Sequence, residues 1–200
     1  GTSLREALSL KLRGDATISF APGLSGTMSI TTPLAIENIN APGSQKRRGN
    51  MTIVGPGADV LTIDGQAASA IEGGILRIAG VIVAISGLTF ANGSAIEGGA
   101  IFGGADVSTS TFANNFVGLH ANGAAIGDGG TVVNSTFASN LFEGDWPFHA
   151  GITGAVLKNS IVYDTACNGI TDGGGNLYWP KTNSACSGKA GNPRRGLLRD

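Results

Sequence analysis

The sequence predicts an all-β solenoid, a chain wound into stacked coils of short parallel strands. Three observations predict it. First, one short phrase recurs four times, as Ile85-Ser-Gly-Leu-Thr-Phe90, Val107-Ser-Thr-Ser-Thr-Phe112, Val132-Val-Asn-Ser-Thr-Phe137 and Val156-Leu-Lys-Asn-Ser-Ile161. Each copy opens on a β-branched residue and closes on Phe or Ile, and the closing residues lie 22, 25 and 24 positions apart. A period in this range is a repeat signature and outranks local readings. Second, the other apolar runs are short, their gaps hold Gly or Pro, and no amphipathic helix falls between them, which excludes βαβ units. Third, glycine reaches 33 of 200 residues without the Gly-X-Y period of collagen. Many tight turns require it, because only Gly enters positive φ freely. A hairpin sandwich would also give short strands. It would not demand the same side chain at the same phase in every repeat, whereas stacked coils pairing in register do.

The elements follow in chain order. Ser3-Leu-Arg-Glu6 is a capping box, in which the Ser hydroxyl serves an orphan amide and Glu6 reaches back to the Ser3 amide. Leu4, Ala7, Leu8 and Leu10 give residues 3–12 an apolar face, so this segment is read as a short helix. Such a helix is marginal alone, and the open end of a stack offers it a surface. Ala16–Phe20 reads as a strand, Ala21–Gly26 as a turn, and Met28–Ile30 and Leu34–Ile36 as strands. Residues 40–50 form a polar loop, and its Lys46, Arg47 and Arg48 are read as solvated charges. Met51–Val54 and Asp59–Ile63 are strands divided by Gly55-Pro-Gly57, after which Asp64-Gly65 turns the chain. Ile75–Ile78 and Val81–Ile85 follow, split by Ala79-Gly80. The expected organisation is one domain over residues 1–200: a cap helix at 3–12, coils over 16–164, and a last coil and tail over 165–200.

Strand alternation puts both Val107 and Phe112 inside only if a bend falls between them. Thr109-Ser110 supplies that bend, as Gly87-Leu88 does in the first copy. Phe90, Phe112, Phe137 and Ile161 are then expected to stack as one inward column, and Ile85, Val107, Val132 and Val156 as a second. Ser110, Ser135 and Asn159 are expected to form a small polar inward column, with Leu88 as its apolar start. Thr89, Thr111, Thr136 and Ser160 are expected to face outward. Asn115 and Asn140 take a turn position that Gly93 and Asp164 fill in the first and last copies. Asn and Asp tolerate left-handed backbone and bond their own turn, so holding corners is the expected role. Both ends of such a stack expose apolar side chains and strand edges and need caps. The 3–12 helix suits one end and the segment after Asp164 the other.

Composition narrows the function classes. Hydrophobic residues make up 42% of the chain, which argues against disorder. Lys+Arg 13 against Asp+Glu 14 leaves a net charge of -1, so nothing draws the protein to nucleic acid or an acidic membrane. No run of roughly eighteen apolar residues is present, so no membrane insertion is expected of this segment. The opening Gly1-Thr-Ser3 looks like a mature or trimmed start, so the lack of a signal peptide does not argue for the cytoplasm. Cys167 and Cys186 fit one disulfide in an oxidising compartment, or two free thiols.

The chain resembles bacterial secreted and surface right-handed parallel β-helix proteins that carry a leading Ser-Leu-Arg-Glu-Ala motif, here Ser3–Ala7. The continuation is similar too: Ile18-Ser-Phe-Ala-Pro-Gly-Leu-Ser-Gly26, Met51-Thr-Ile-Val-Gly-Pro-Gly-Ala58, Leu61-Thr-Ile-Asp-Gly65 and Ile85–Phe90. Gly98-Gly-Ala-Ile101, Phe112-Ala-Asn-Asn115 and Phe137-Ala-Ser-Asn140 look like the repeats of polymorphic outer-membrane adhesins. The tail from Cys167-Asn-Gly-Ile170 to Cys186 resembles the last coil of the first group, which implies that the two cysteines pair. The resemblance implies a right-handed parallel β-helix at the cell surface or outside the cell, often one part of a longer exported protein. The end at Pro193–Asp200 looks like an internal stop of that kind. The 46–48 basic insertion and the Trp146 bulge depart from the pattern.

Polysaccharide lyases and glycoside hydrolases also use right-handed β-helices, and in such a fold the chemistry would sit on the loops. A hydrolase needs paired carboxylates in an open groove. A lyase needs a base, and acidic residues for Ca²⁺. The richest run is Phe142-Glu-Gly-Asp-Trp-Pro-Phe-His149. With Asp128 and His120 it gives a candidate ligand patch of His120, Asp128, Glu143, Asp145 and Trp146, where Trp146 stacks on a sugar ring and carboxylates take its hydroxyls. If the protein is an enzyme, Asp128, Glu143, Asp145 and His149 are the candidate catalytic groups. The bland reading makes Trp146 and Phe148 a cover for the flank of the stack. No metal-ligand spacing and no phosphate loop is present. No cofactor is expected, and Ca²⁺ enters only through the lyase alternative. The outward Thr89, Thr111, Thr136 and Ser160 array permits an ice-binding face, though exposed-sheet propensity explains Thr equally well. The expected function is an extracellular or cell-surface module for display or adhesion, contacting a glycan or a host or cell-surface component.

Overall fold

The structure, a computed structural model, describes residues 2–9, 15–37, 50–66, 69–72, 74–118, 123–143, 150–179 and 186. The chain winds into a right-handed parallel β-helix, whose coils cross four parallel sheets in a fixed order. Face I holds Ala16–Ser19, Met51–Val54, Val83–Ser86, Ala105–Ser108, Gly130–Val133, Ala155–Lys158 and Thr171–Asp172. Face II holds Gly26–Ser29, Leu61–Asp64, Thr89–Ala91, Thr111–Ala113, Thr136–Ala138, Ile161–Tyr163 and Leu177–Trp179. Face III holds Ser69–Glu72, Ser94–Glu97, Phe116–Val117 and Leu141–Phe142. Face IV holds Leu34–Glu37, Leu76–Ala79, Ile101–Phe102, Ile126–Gly127, Ile152–Thr153 and Cys167–Asn168. Several strands begin or end a few residues from their expected bounds. Face III was not anticipated from the sequence, because its strands are short and Gly-bounded.

The helix at the start spans Leu4–Ser9, shorter than the expected 3–12, of which residues 10–12 lie outside the described residues. Its capping box forms as read. Ser3 N donates to Glu6 Oε2 at 2.8 Å, and Glu6 N donates to Ser3 Oγ at 3.2 Å. These bonds, the one from the Ser3 amide foremost, hold the Glu6 carboxyl below its usual pKa. Arg5 donates to the carbonyls of Thr32 and Pro33 at 2.6 and 2.8 Å, which docks the helix beside Leu34–Glu37, and Leu8 is buried beneath it.

Register puts like over like. Phe112 pairs with Phe90 on one side and Phe137 on the other. Their rings stack at centroid distances of 5.4 and 5.0 Å, with interplanar angles of 15° and 8°. Ile63 precedes this column and Val162 follows it. On face I the inward column runs Ile53, Ile85, Val107, Val132, Leu157. All ten of these side chains are buried. Burial of each is favourable by about 1.5–3 kcal/mol, and stacked rings add about 0.5–1.5 kcal/mol per pair.

The last copy of the phrase corrects the expected alignment. Val162, not Ile161, continues the Phe column, and Leu157, not Val156, continues the Val column. Ile161 is 45% exposed. The coil length on face II is 25 residues from Phe112 to Phe137 and again 25 from Phe137 to Val162, and backbone register, rather than similarity of side chain, fixes the phase. A slip of one residue turns every side chain over. Three further positions move with it. Ser160 faces inward beneath Ser135, Asn159 becomes the bend residue at φ 47°, and Thr165, rather than Asp164, stands beneath Asn140.

Two polar ladders line the corners inside the stack. At the bend between faces I and II, the amides of Ser110 and Ser135 donate to the hydroxyls of Ser135 and Ser160, at 3.3 and 3.2 Å. At the corner between faces II and III, Asn115 and Asn140 are fully buried. They hold corners by bonding to neighbouring coils, whereas the expected bond was to their own turn. Asn115 Nδ2 donates to the Phe90 carbonyl at 3.1 Å, Asn140 Nδ2 to that of Phe112 at 3.0 Å, and Gly93 N to Asn115 Oδ1 at 2.9 Å. A Cβ at Gly93 would strike the Gly99 carbonyl oxygen, so the coil that carries the first copy of the phrase has no room for a side chain there. Buried backbone groups that a bend frees from the sheets must find partners, and the ladders supply them.

Beyond face II the sixth coil goes straight to Cys167–Asn168 on face IV. The advance from Leu157 to its register partner Asp172 is therefore only 15 residues. Cys167 and Cys186 are bonded as a disulfide and both are buried.

Candidate binding surface

Strand alternation turns half of each coil outward, and on faces I and II those side chains are mostly Thr, Ser, Ala and Val. On face II one outward column runs Thr27, Thr62, Thr89, Thr111, Thr136, Ile161, Leu177. The column beside it runs Ser29, Asp64, Ala91, Ala113, Ala138, Tyr163, Trp179. The Thr column is longer at its start than expected and lacks Ser160. It is one residue wide, with alanine beside it at three consecutive rungs.

The last two rungs change character. Ile161, Tyr163 and Trp179 are exposed by 45, 49 and 44%, and Leu177 completes a block of four apolar side chains. Tyr163 and Trp179 are register partners, so their backbones lie about 4.8 Å apart. A contiguous apolar patch rimmed by polar residues marks an interaction surface, whereas a single exposed apolar residue does not. Sequence reading missed this pair for one reason. With Ile161 assigned inward, Tyr163 falls inside as well, and the signal at Val162 went unused.

An open groove of about 630 Å³ runs along the corner between faces I and II. Ala58, Asp59, Thr109 and Asn134 line it at the corner, and Thr89, Thr111 and Thr136 line it from face II. Thr89 Oγ1 donates to the Ala58 carbonyl at 2.5 Å. Thr109 and Asn134 have φ of 47° and 52°, the left-handed bends that bring the two faces together. Two nearby carboxylates accept bonds from the next rung, and Asp64 accepts one from its own turn as well. Asp64 accepts from Gln66 N and Asn92 Nδ2, and Asp106 accepts from Thr131 N. Lys158 is the sole base turned outward on these two faces among the described residues.

Of the residues singled out on the loops, His120, Asp145, Trp146 and His149 lie outside the described residues, as do Lys46, Arg47 and Arg48. Asp128 and Glu143 are both exposed. Asp128 follows the face IV strand Ile126–Gly127, whereas Glu143 follows the face III strand Leu141–Phe142, so they stand at different corners. Asp128 has φ 70°, and Gly154, on the next coil, has φ 65°. Its backbone thus does at this corner what glycine does on the neighbouring coil. Among the described residues no group of three or more His, Cys, Asp or Glu could hold a metal ion, and no helix is long and apolar enough to cross a membrane.

Comparison with family models, with curated proteins and with solved structures gives no match to this chain. The fold therefore rests on the strand register itself: a parallel β-helix, built from repeats and closed by a disulfide.

Proposed function

We propose that the protein is an extracellular or cell-surface module that works by display and adhesion through carbohydrate contact. The observation that carries this reading is the register pair Tyr163 and Trp179, two exposed aromatic rings on adjacent rungs of one parallel sheet. Aromatic side chains offer an apolar face with a polar tip, which suits the mixed surface of a sugar ring. The hydroxyls of the Thr column and the corner groove supply hydrogen-bonding groups beside it. The buried disulfide supports an oxidising compartment. The enzymatic alternative, a lyase or hydrolase acting on an extracellular polysaccharide, draws less support, since Asp128 and Glu143 stand at separate corners of the coil.

The loop set of His120, Asp128, Glu143, Asp145 and Trp146 is the competing contact surface. A glycan array probed with wild type, with Y163A/W179A and with W146A separates the two. The expected result is loss of binding in Y163A/W179A with an unchanged melting temperature, and retention in W146A. Loss only in W146A would move the site to the loop. Cleavage of a polysaccharide that D128N or E143Q abolishes would replace adhesion with catalysis.

A further inference from the structure

We infer that the ligand of face II is a linear, uncharged polysaccharide lying along the axis of the coils. This rests on the carbohydrate reading above and narrows it by shape and charge.

The shape follows from register. Outward positions on face II lie over one another without a break, so the apolar block continues straight into the Thr and Ala columns. Ala138, Ala113 and Ala91 stand directly in line with Tyr163 and Trp179, and none projects beyond a methyl group. A chain whose ring stacks on the aromatic pair therefore meets a low, flat shelf ahead of it. The Thr hydroxyls form one side of that shelf, and the corner groove opens beyond them. From the rung of Thr62 to that of Leu177 there are five rung steps, about 24 Å at the usual strand spacing. Across the strands the face is only three or four residues wide before a bend ends it. A ligand with several rings in contact must therefore run along the axis.

The charge follows from what lines the strip. Asp64 stands at its far end and Asp59 in the groove, while no described Lys or Arg projects from face II. Among the described residues uronate or sulfate groups would meet carboxylates and no cation on face II itself, Lys158 standing on face I, and like charges at a contact suppress the wrong partner. An uncharged polymer meets no such penalty.

The test is calorimetric titration of the whole chain with three sets of oligosaccharides: a neutral glucan series from dimer to hexamer, a uronate series and a sulfated series. Affinity for the neutral series is expected to rise about tenfold or more with length, to be indifferent to salt, and to exceed that for either anionic series. A138K and A113K place a long side chain in the path of the polymer. They are expected to cut hexamer binding to the level of the wild-type protein's dimer binding. Equal affinity for dimer and hexamer, or salt-sensitive preference for an anionic series, would overturn the inference and leave carbohydrate binding intact. Binding to none of the three sets would overturn both.

Discussion

The side-chain amide of Asn115 donates to the side-chain oxygen of Asn140, one coil along, at 2.8 Å, and both residues are fully buried. The same oxygen accepts from the Asn115 backbone amide at 3.2 Å. One carboxamide thus serves two donors of the neighbouring coil, and its own amide serves the Phe112 carbonyl. N140A would take the side-chain acceptor from the buried Asn115 backbone amide and a donor from the Phe112 carbonyl, while Asn115 Nδ2 keeps the Phe90 carbonyl, and an orphaned buried amide costs about 1–3 kcal/mol before relaxation. We expect N140A to lower the unfolding free energy by about 1–3 kcal/mol, measured by urea denaturation. A change within about 0.5 kcal/mol, the level expected of a surface site such as T136A, would remove the ladder from the account of stability.

The register of the sixth coil predicts opposite responses at adjacent positions. V162D places a carboxylate among Phe137 and its neighbours, and a buried charge without a partner destabilises strongly. It should abolish cooperative unfolding or lower stability by about 4 kcal/mol. I161T, on the outside, should stay within about 0.5 kcal/mol. Circular dichroism melts of the two variants check this, and a reversal of the order would restore the one-residue-shifted alignment.

Tyr178 gives a pH prediction. Its hydroxyl is buried with no hydrogen-bond partner among the described residues. Burial first, then the charge of Asp172, raises its pKa from the ordinary 10.0. The fold thus favours the neutral phenol. The stability this group contributes is intact below pH 10 and is lost as pH rises from there towards the raised folded value. Y178F removes both the orphaned hydroxyl and the titration. It should match or exceed wild-type stability at pH 7 and outlast it above pH 10, as melting temperatures across pH 7 to pH 11 would show. An alkaline fall identical in both proteins would assign the loss to another group.

The Cys167–Cys186 bond closes a loop with a sequence separation of 19. On the chain-entropy estimate such a closure stabilises by roughly 3 kcal/mol. Reduction, or C167A/C186A, should lower the melting temperature accordingly. An unchanged melt under reductant would show that the last coil holds without the crosslink.

The sequence carried the architecture well and the phase of one coil badly. Phe90, Phe112 and Phe137 share a residue type and a regular spacing, so their stack was legible. At the fourth copy Ile161 and Val162 are both β-branched, and composition cannot choose between them. Only the hydrogen-bonded register can. That choice hid Tyr163, because a strand has two sides and an error of one exchanges them. The inward role of Asn115 was illegible for a different reason. Its partners lie 25 residues away in sequence, at Phe90 and Asn140, whereas local rules for asparagine describe only its own turn. On face III, Phe116–Val117 and Leu141–Phe142 are two-residue strands, too short to show alternation, and the Ser-Ala-Ile-Glu phrase shared by Ser69–Glu72 and Ser94–Glu97 went unread.

All four sheets share one hydrogen-bond direction, the direction in which the coils stack. Tension applied along it would be borne by every ladder bond between two coils together, whereas a pull on a chain end would part them one by one. The same winding should therefore be stiff as a strut and weak to peeling. Residues Arg5 and Cys167 sit where peeling would begin, the first clasping the helix to Thr32 and Pro33 and the second covalently tied to Cys186.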